Sequence, residues 1–220
     1  MELNLQQIVD EAKKKHFKSV FDDEQYLLCA IMDLHNDGKT FDCDPMFFKG
    51  KFYQDGVDMP KLVFDLNPQE KWIVKADARN LPVNSNELQS IMLDPPFLIG
   101  NRASQKKYYS AMTHTMFADF KELENCYKGI LKEAYRVLKP KGLCVFKCQD
   151  YTDSKTTMTH VHVMNWATEL GFYAKDLAIL VKPNKVTNPN TKQRHLRKIH
   201  TYFWVFIKNI LLTTDNTTKV

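Results

Sequence analysis

Four short apolar runs in the first half of the chain, residues 39–43, 61–65, 72–77 and 90–94, each carry an aspartate at or beside their end. Stretches of helical periodicity flank or follow them. Residues 22–34 place Tyr26, Leu27, Cys29, Ala30, Ile31 and Leu34 on one stripe before Asn36-Asp37-Gly38, and residues 117–138 repeat the pattern from Phe120 to Leu138. A third helix is expected at 160–170, with Gly171 as its stop. Short buried strands alternating with helices must lie side by side in a mostly parallel sheet, because each crossover returns the chain to the same edge. Ligands of such sheets bind outside the carboxyl ends of the strands, where Asp42, Asp65, Asp77 and Asp94 are all expected.

A further strand is expected at 143–147, after the break Pro140-Lys141-Gly142. Runs at 177–181 and 202–208, joined without a helix, read as an antiparallel pair at one edge of the sheet. A chain of 220 residues that is 44% hydrophobic and 26% charged, with only 7 Gly and 9 Pro, folds by burying a core. Residues 1–220 are therefore expected to form one domain. Residues 1–38 would be an N-terminal helical extension, 182–201 a basic loop and 213–220 a polar tail. The five cysteines form no Cys-x-x-Cys pair, so buried thiols are expected rather than a disulfide framework or a metal site. No apolar run approaches the roughly 20 residues that span a bilayer, and the first residues lack the apolar core of a signal peptide. A cytoplasmic protein without a membrane partner is the expectation.

Charge is concentrated. Residues 182–208 hold seven Lys or Arg and no acid, leaving 24 basic against 26 acidic residues elsewhere. A concentrated basic surface suits a polyanion, since each neutralised phosphate releases counterions. Lys192, Arg194, Arg197 and Lys198 are the candidates there. The aromatic and basic stretch 101–110 adds Arg102, Lys106 and Lys107, a composition suited to phosphate contact with stacking.

The sharpest local signal is Asp94-Pro95-Pro96-Phe97. An exocyclic amine on an aromatic base is a poor nucleophile because its lone pair is delocalised into the ring. If the Asp94 carboxylate and the Pro95 carbonyl accept its two N–H bonds, the nitrogen is drawn toward tetrahedral geometry and the lone pair is released. The Pro95-Pro96 step fixes the acceptor directions, and the Phe97 ring offers a face for a flipped base.

In these residues the chain resembles the class I S-adenosylmethionine-dependent amino-methyltransferases, whose fourth strand is followed by (Asp/Asn/Ser)-Pro-Pro-(Tyr/Phe/Trp). The segment Glu133-Ala-Tyr-Arg-Val-Leu-Lys-Pro-Lys-Gly-Leu-Cys-Val-Phe-Lys147 is similar to the family's next helix and strand. The resemblance implies an α/β, Rossmann-like doubly wound fold and S-adenosylmethionine as cofactor. It implies Asp65 as the acceptor for the cofactor ribose hydroxyls and Asp77 as the residue beside its adenine. Asp as the first motif residue, with the cofactor region preceding the motif, resembles DNA N6-adenine methyltransferases most, in particular short phage and mobile-element enzymes. Double-stranded DNA is the partner so implied, with recognition left to loops, a homodimer or a partner subunit.

One departure stands out. The family's Phe-x-Gly-x-Gly is replaced by Thr40-Phe-Asp-Cys-Asp-Pro-Met-Phe-Phe-Lys-Gly50. Asp42, Asp44 and Gly50 are the residues of this variant loop expected to meet the cofactor, one of the two acids serving its amino or sulfonium charge. Two alternatives follow from these residues. The same motif serves methylation of RNA base amines, and the missing glycines suit a silent methyltransferase fold that binds nucleic acid or a partner. Lys147, Gln149 and Asp150 follow the fifth strand and are candidates for the target pocket. His114, His160 and His162 have no acid and nucleophile at a telling spacing, and no catalytic role is expected for them.

Overall fold

The computed structural model describes residues 16–99, 117–152, 155–182, 194–196 and 198–209. In chain order the elements are β1 (Val20–Phe21), α1 (Glu24–His35), β2 (Cys43–Asp44), β3 (Leu62–Asp65), β4 (Val74–Lys75), β5 (Leu88–Leu93), α2 (Phe120–Val137), β6 (Leu138–Cys148), β7 (Tyr151–Thr152), β8 (Thr156–Thr157), α3 (Thr159–Glu169), β9 (Phe172–Val181) and β10 (His200–Lys208). Eight strands form one sheet in the order β1-β9-β10-β6-β5-β2-β3-β4, and β7 with β8 makes a separate hairpin. Only β10 runs against its neighbours in that sheet, antiparallel to both β6 and β9. The fold class is the expected mostly parallel α/β sheet. The antiparallel strand, however, lies inside it rather than at its edge, because β9 and then β1 continue the sheet beyond it.

Side chains alternate across the central strands as a period of two requires. Met92, Val145, Phe203 and Val205 face a core closed by α1, whereas Ile91, Leu93, Phe146 and Phe206 face one closed by α2 and α3. The first two helices each start where a side chain satisfies their first amides. Asp23 accepts from the Tyr26 amide at 2.7 Å, and Asp119 accepts from Glu122 N at 2.9 Å while Glu122 accepts from Ala118 N at 2.6 Å.

Several boundaries differ from the sequence reading. The strand expected at 39–43 begins only at Cys43, because Asn36 Nδ2 donates to the carbonyls of Lys39 and Thr40 and holds them in a turn. The run 72–77 is not a buried strand: β4 pairs with β3 alone, and both its residues are exposed. Residues 1–38 do not form a separate extension where they are described, since β1 joins the sheet through β9 and α1 closes one core. Pro140-Lys141-Gly142 does not interrupt β6 but bulges from it. The β5 register passes from Leu88 opposite Leu138 to Ser90 opposite Leu143, with Lys141 at φ 65°. Among the described residues no helix is long and apolar enough to cross a membrane.

The segment Glu133–Lys147 holds the frame. Glu133 Oε1 accepts from the Leu81 amide at 2.6 Å and pairs with Arg136, whose Nη2 also donates to the Leu81 and Val83 carbonyls. Lys208 corrects the charge reading. It is buried, not part of a basic surface, and its ammonium donates to Asn86 Oδ1, Tyr135 O and Leu138 O at 2.6–2.8 Å. Replacing a buried donor strands its acceptors. Lys208→Met, which keeps the stem, is therefore expected to lower unfolding free energy by about 3 kcal/mol, read as a lower urea midpoint at unchanged slope.

Candidate functional site

A cavity of about 520 Å3 opens at the carboxyl ends of β2, β3, β4 and β5 and is closed on one side by α2. Asp65, Asp77 and Asp94 line it, as do Pro95, Pro96 and Phe97. The strand-end crevice expected from the sequence thus gathers three of its four aspartates and the whole of the proline motif.

Each acid is held differently. Asp65 Oδ2 accepts from the Phe48 amide at 2.8 Å and Oδ1 from the Asn67 amide at 2.7 Å. Each oxygen retains a lone pair for a further donor such as a ligand hydroxyl. Asp77 forms a forked pair with Arg79, with Nη2 to Oδ2 at 2.6 Å and Nε to Oδ1 at 2.9 Å. The Arg79 hydrogen bonds hold the Asp77 carboxyl below its ordinary range. Arg79 also lines the cavity, and the sequence reading missed it; an Arg two residues past a strand-end Asp was the available signal. Asp94 lies where the ladder stops. Behind it the Tyr127 hydroxyl, on a side chain with no exposure, donates to Pro96 O at 2.9 Å and fixes the proline step.

The loop after β2 departs from expectation. Asp42 does not reach the cavity. It is level with the start of β5, where Oδ2 accepts from the amides of Gln89 and Ser90 at 2.7 and 3.2 Å, away from the strand's carboxyl end. Asp44 is 1% exposed and turned inward, accepting from Met46 N at 2.8 Å and from the Tyr53 hydroxyl at 2.7 Å. It is not available as a partner for a ligand's charge. Gly50 also stands outside the cavity lining: its φ is 61°, and a Cβ there would collide with the Phe47 ring, so its smallness serves the ring of Phe47. From this loop Pro45, Met46 and Phe48 line the cavity, Phe48 at φ 50°. Phe48 and Gly50 thus both take the left-handed region that favours glycine, Phe48 with a phenyl ring where a small side chain fits most easily.

Lys147 does not line the cavity. Its ammonium lies behind Asp94, 3.3 Å from Oδ2. Gln149 and Asp150 are also outside it. Gln149 donates to His200 O at 2.9 Å. Asp150 Oδ1 meets His160 Nδ1 at 2.7 Å, and its Oδ2 accepts from Tyr202. The acid missing from the sequence reading of His160 is thus ten residues upstream, brought back by the β7–β8 hairpin. Of the basic candidates, Arg194 is exposed and Lys198 half-buried. Arg102, Lys106, Lys107, Lys192 and Arg197 lie outside the described residues, as does His114.

The cavity fits a nucleoside-sized cofactor. Asp65 offers anionic acceptors for hydroxyls, and Leu66, Ala78 and Ile130 offer apolar walls for a flat base. Beside it, burial raises the Asp44 carboxyl to about 7, with Asp94 and Asp65 adding to the rise. Between about 4 and about 7 this group is protonated in the folded chain and ionised in the unfolded one, so unfolding releases a proton and stability falls as pH rises through that window. Asp44→Asn, neutral throughout, is expected to flatten that slope and to stabilise the protein at pH about 8, measured by urea unfolding across the range.

The family N6_N4_Mtase, described as DNA methylase, matches residues 88–219, which include Asp94–Phe97 and β6 but not the loop after β2. Among solved structures, the 1,6-didemethyltoxoflavin-N1-methyltransferase of Burkholderia thailandensis aligns with a TM-score of 0.52 at 11% identity, covering 86% of this chain and 80% of that one; this likeness is one of fold. The cytosine-N4-specific PvuII DNA methyltransferase aligns at 16% identity and TM-score 0.46 over 62% of this chain and 48% of its own. A candidate DNA modification methylase of Thermus thermophilus, crystallised with S-adenosyl-L-methionine, aligns at 19% identity and TM-score 0.41 over 61% of this chain and 54% of its own. The chain spans about half the length of these DNA methylases. No curated protein matches it significantly.

Proposed function

The chain belongs to the N6/N4 DNA methylase family, and on that premise we propose that it methylates the exocyclic N6 amine of adenine in double-stranded DNA, with S-adenosylmethionine as methyl donor. The observation that carries this reading is the cavity itself, with Asp94-Pro95-Pro96-Phe97 on one wall and Asp65 on another. Bound there, the cofactor supplies an electrophilic methyl group. Asp65 would hold its ribose hydroxyls, the Asp77 and Arg79 pair would lie at its adenine edge, and Phe48 would border the site in place of the usual glycine.

The protein's own contribution is to the amine. The Asp94 carboxylate and the Pro95 carbonyl accept its two N–H bonds and release the nitrogen lone pair, while Phe97 stacks on the extruded base. Tyr127, by holding Pro96 O, keeps the acceptor directions fixed. No covalent enzyme intermediate is needed. Asp at the head of the motif, rather than Ser, favours adenine over cytosine through the family resemblance. Arg194 and Lys198, with the basic residues of 101–110 and 182–201, would contact phosphates.

Transfer of labelled methyl groups to unmethylated bacterial genomic DNA, followed by nucleoside chromatography, tests the reading. N6-methyladenine is the expected product. N4-methylcytosine would replace the base assignment, transfer to RNA alone would replace the substrate, and nucleic-acid binding without transfer would favour the silent fold. Asp94→Ala is expected to lower transfer at least about 100-fold, the scale of losing one transition-state hydrogen-bonding group, with binding of S-adenosylhomocysteine retained. For DNA binding, Arg194→Ala and Lys198→Ala are each expected to reduce the slope of log affinity against log salt by about 1, which equilibrium titration at several salt concentrations would show.

A further inference from the structure

Lys147 closes the apolar run of β6 and turns its side chain toward the α1 face, where little water reaches it. Its Nζ lies 2.9 Å from Glu24 Oε1 and 3.3 Å from Asp94 Oδ2, and 4.4 Å from the centroid of the Phe52 ring. Side-chain exposure is 12% for Lys147, 15% for Glu24 and 26% for Asp94. Glu24 in turn meets Lys182 through its other oxygen at 3.3 Å. A buried ammonium is costly unless paired, and packing alone does not account for one here, since a leucine would fill the space beside Phe52 and Phe203 without any acid. Burial acts to lower the lysine's pKa, but Asp94 and Glu24 outweigh it and hold the ammonium above its ordinary range. Burial likewise acts to raise Glu24, and Lys147 and Lys182 hold it down. Lys147 and Glu24 are both charged at neutral pH.

We propose that Lys147 is a positioning residue for methyl transfer: by binding Oδ2 it fixes the rotation of the Asp94 carboxylate that receives the amine, and Glu24 of α1 moderates its pull. The inference rests on the reading of Asp94 as the amine acceptor. Lys147 touches neither amine nor cofactor in this scheme and acts through Asp94. A carboxylate on a free side chain can rotate both oxygens away from the amine. One held by a buried ammonium cannot do so without breaking that contact.

The groups that bear on Asp94 come from several elements. Lys147 and Glu24 approach from β6 and α1, Lys182 from beyond β9 through Glu24, Asp44 with Tyr53 from β2 and its loop, and Tyr127 from α2. Removing the cation raises the Asp94 pKa, and removing the anion on its far side lowers it. Because Asp44 titrates at about 7, the comparison is made in an Asp44→Asn background. The measurement is single-turnover methyl transfer by the full chain to unmethylated genomic DNA across pH, with S-adenosylhomocysteine affinity as control.

Lys147→Met is expected to lower the maximal rate about 100-fold, the scale of a misplaced reacting group, and to move the acid limb of the profile upward by about one pH unit or more. Glu24→Gln is expected to move that limb downward, Lys147→Arg to restore most of the rate, and cofactor-product affinity to stay unchanged in all three. A packing role alone gives no shifts of opposite sign. A wild-type rate and profile in Lys147→Met, or limbs that move the same way in both variants, overturns the proposal. Should Lys147→Met fail to fold by circular dichroism, Glu24→Gln decides, and an unmoved limb overturns it. Undiminished transfer by Asp94→Ala instead removes the reading of Asp94 itself, an outcome distinct from a dead Asp94→Ala beside an unaffected Lys147→Met.

Discussion

A strand of a central sheet cannot continue through residues that offer no amide donor, and β5 stops at Leu93, just before Pro95 and Pro96, which have no amide hydrogen to give. That termination governs the site. It leaves Asp94 as the first residue beyond the ladder, one strand away from Lys147 and opposite the ends of β2, β3 and β4, so that a single carboxylate borders both the cavity and the ion cluster behind it. Tyr127 then takes Pro96 O from the α2 side, and the acceptor geometry is braced from both faces of the sheet.

The loop after β2 holds a bulky residue in a conformation that favours glycine. Left-handed conformation costs a non-glycine residue roughly 1–2 kcal/mol, yet Phe48 adopts it, and its amide is thereby aimed at Asp65 Oδ2. The hydrogen bond to Asp65 offsets part of that strain. Asp44 works in the opposite direction from a ligand partner: hidden beneath the loop and bonded to Tyr53 and Met46 N, it ties the turn down from inside. The loop is therefore shaped by its own contacts, with Phe47 packed on Gly50 and Phe48 left to face the cavity.

The strand ends were legible from the sequence because hydrophobic runs and prolines act locally, and Asp65, Asp77 and Asp94 meet at one edge for that reason. What escaped depends on distant partners. Residues 42 and 44 look alike in a sequence, but Asp42 is committed to the amides of Gln89 and Ser90, and Asp44 to the Met46 amide and the Tyr53 hydroxyl. Lys208 reads as one more surface cation in a basic run. Its three acceptors come from residues 86, 135 and 138, which no local pattern links to it. Asp150 and His160 are separated by a hairpin too short to announce itself by periodicity.

The N-terminal helix belongs to the site for a physical reason. Without α1, Lys147 would face Asp94 alone on one side and apolar rings on the other, and a lysine with a single acid would neutralise that acid more completely. Glu24 divides the attraction of that ammonium, so that in the proposed scheme Asp94 is held while keeping more of its acceptor strength for a donor in the cavity. Lys182 does the same for Glu24 one step further out, at the foot of the basic segment. Charges therefore alternate from that segment to the strand end, each buried ion offset by its neighbours. Placing α1 over the sheet closes one core and also brings Glu24 against the ammonium that meets the carboxylate at the end of β5.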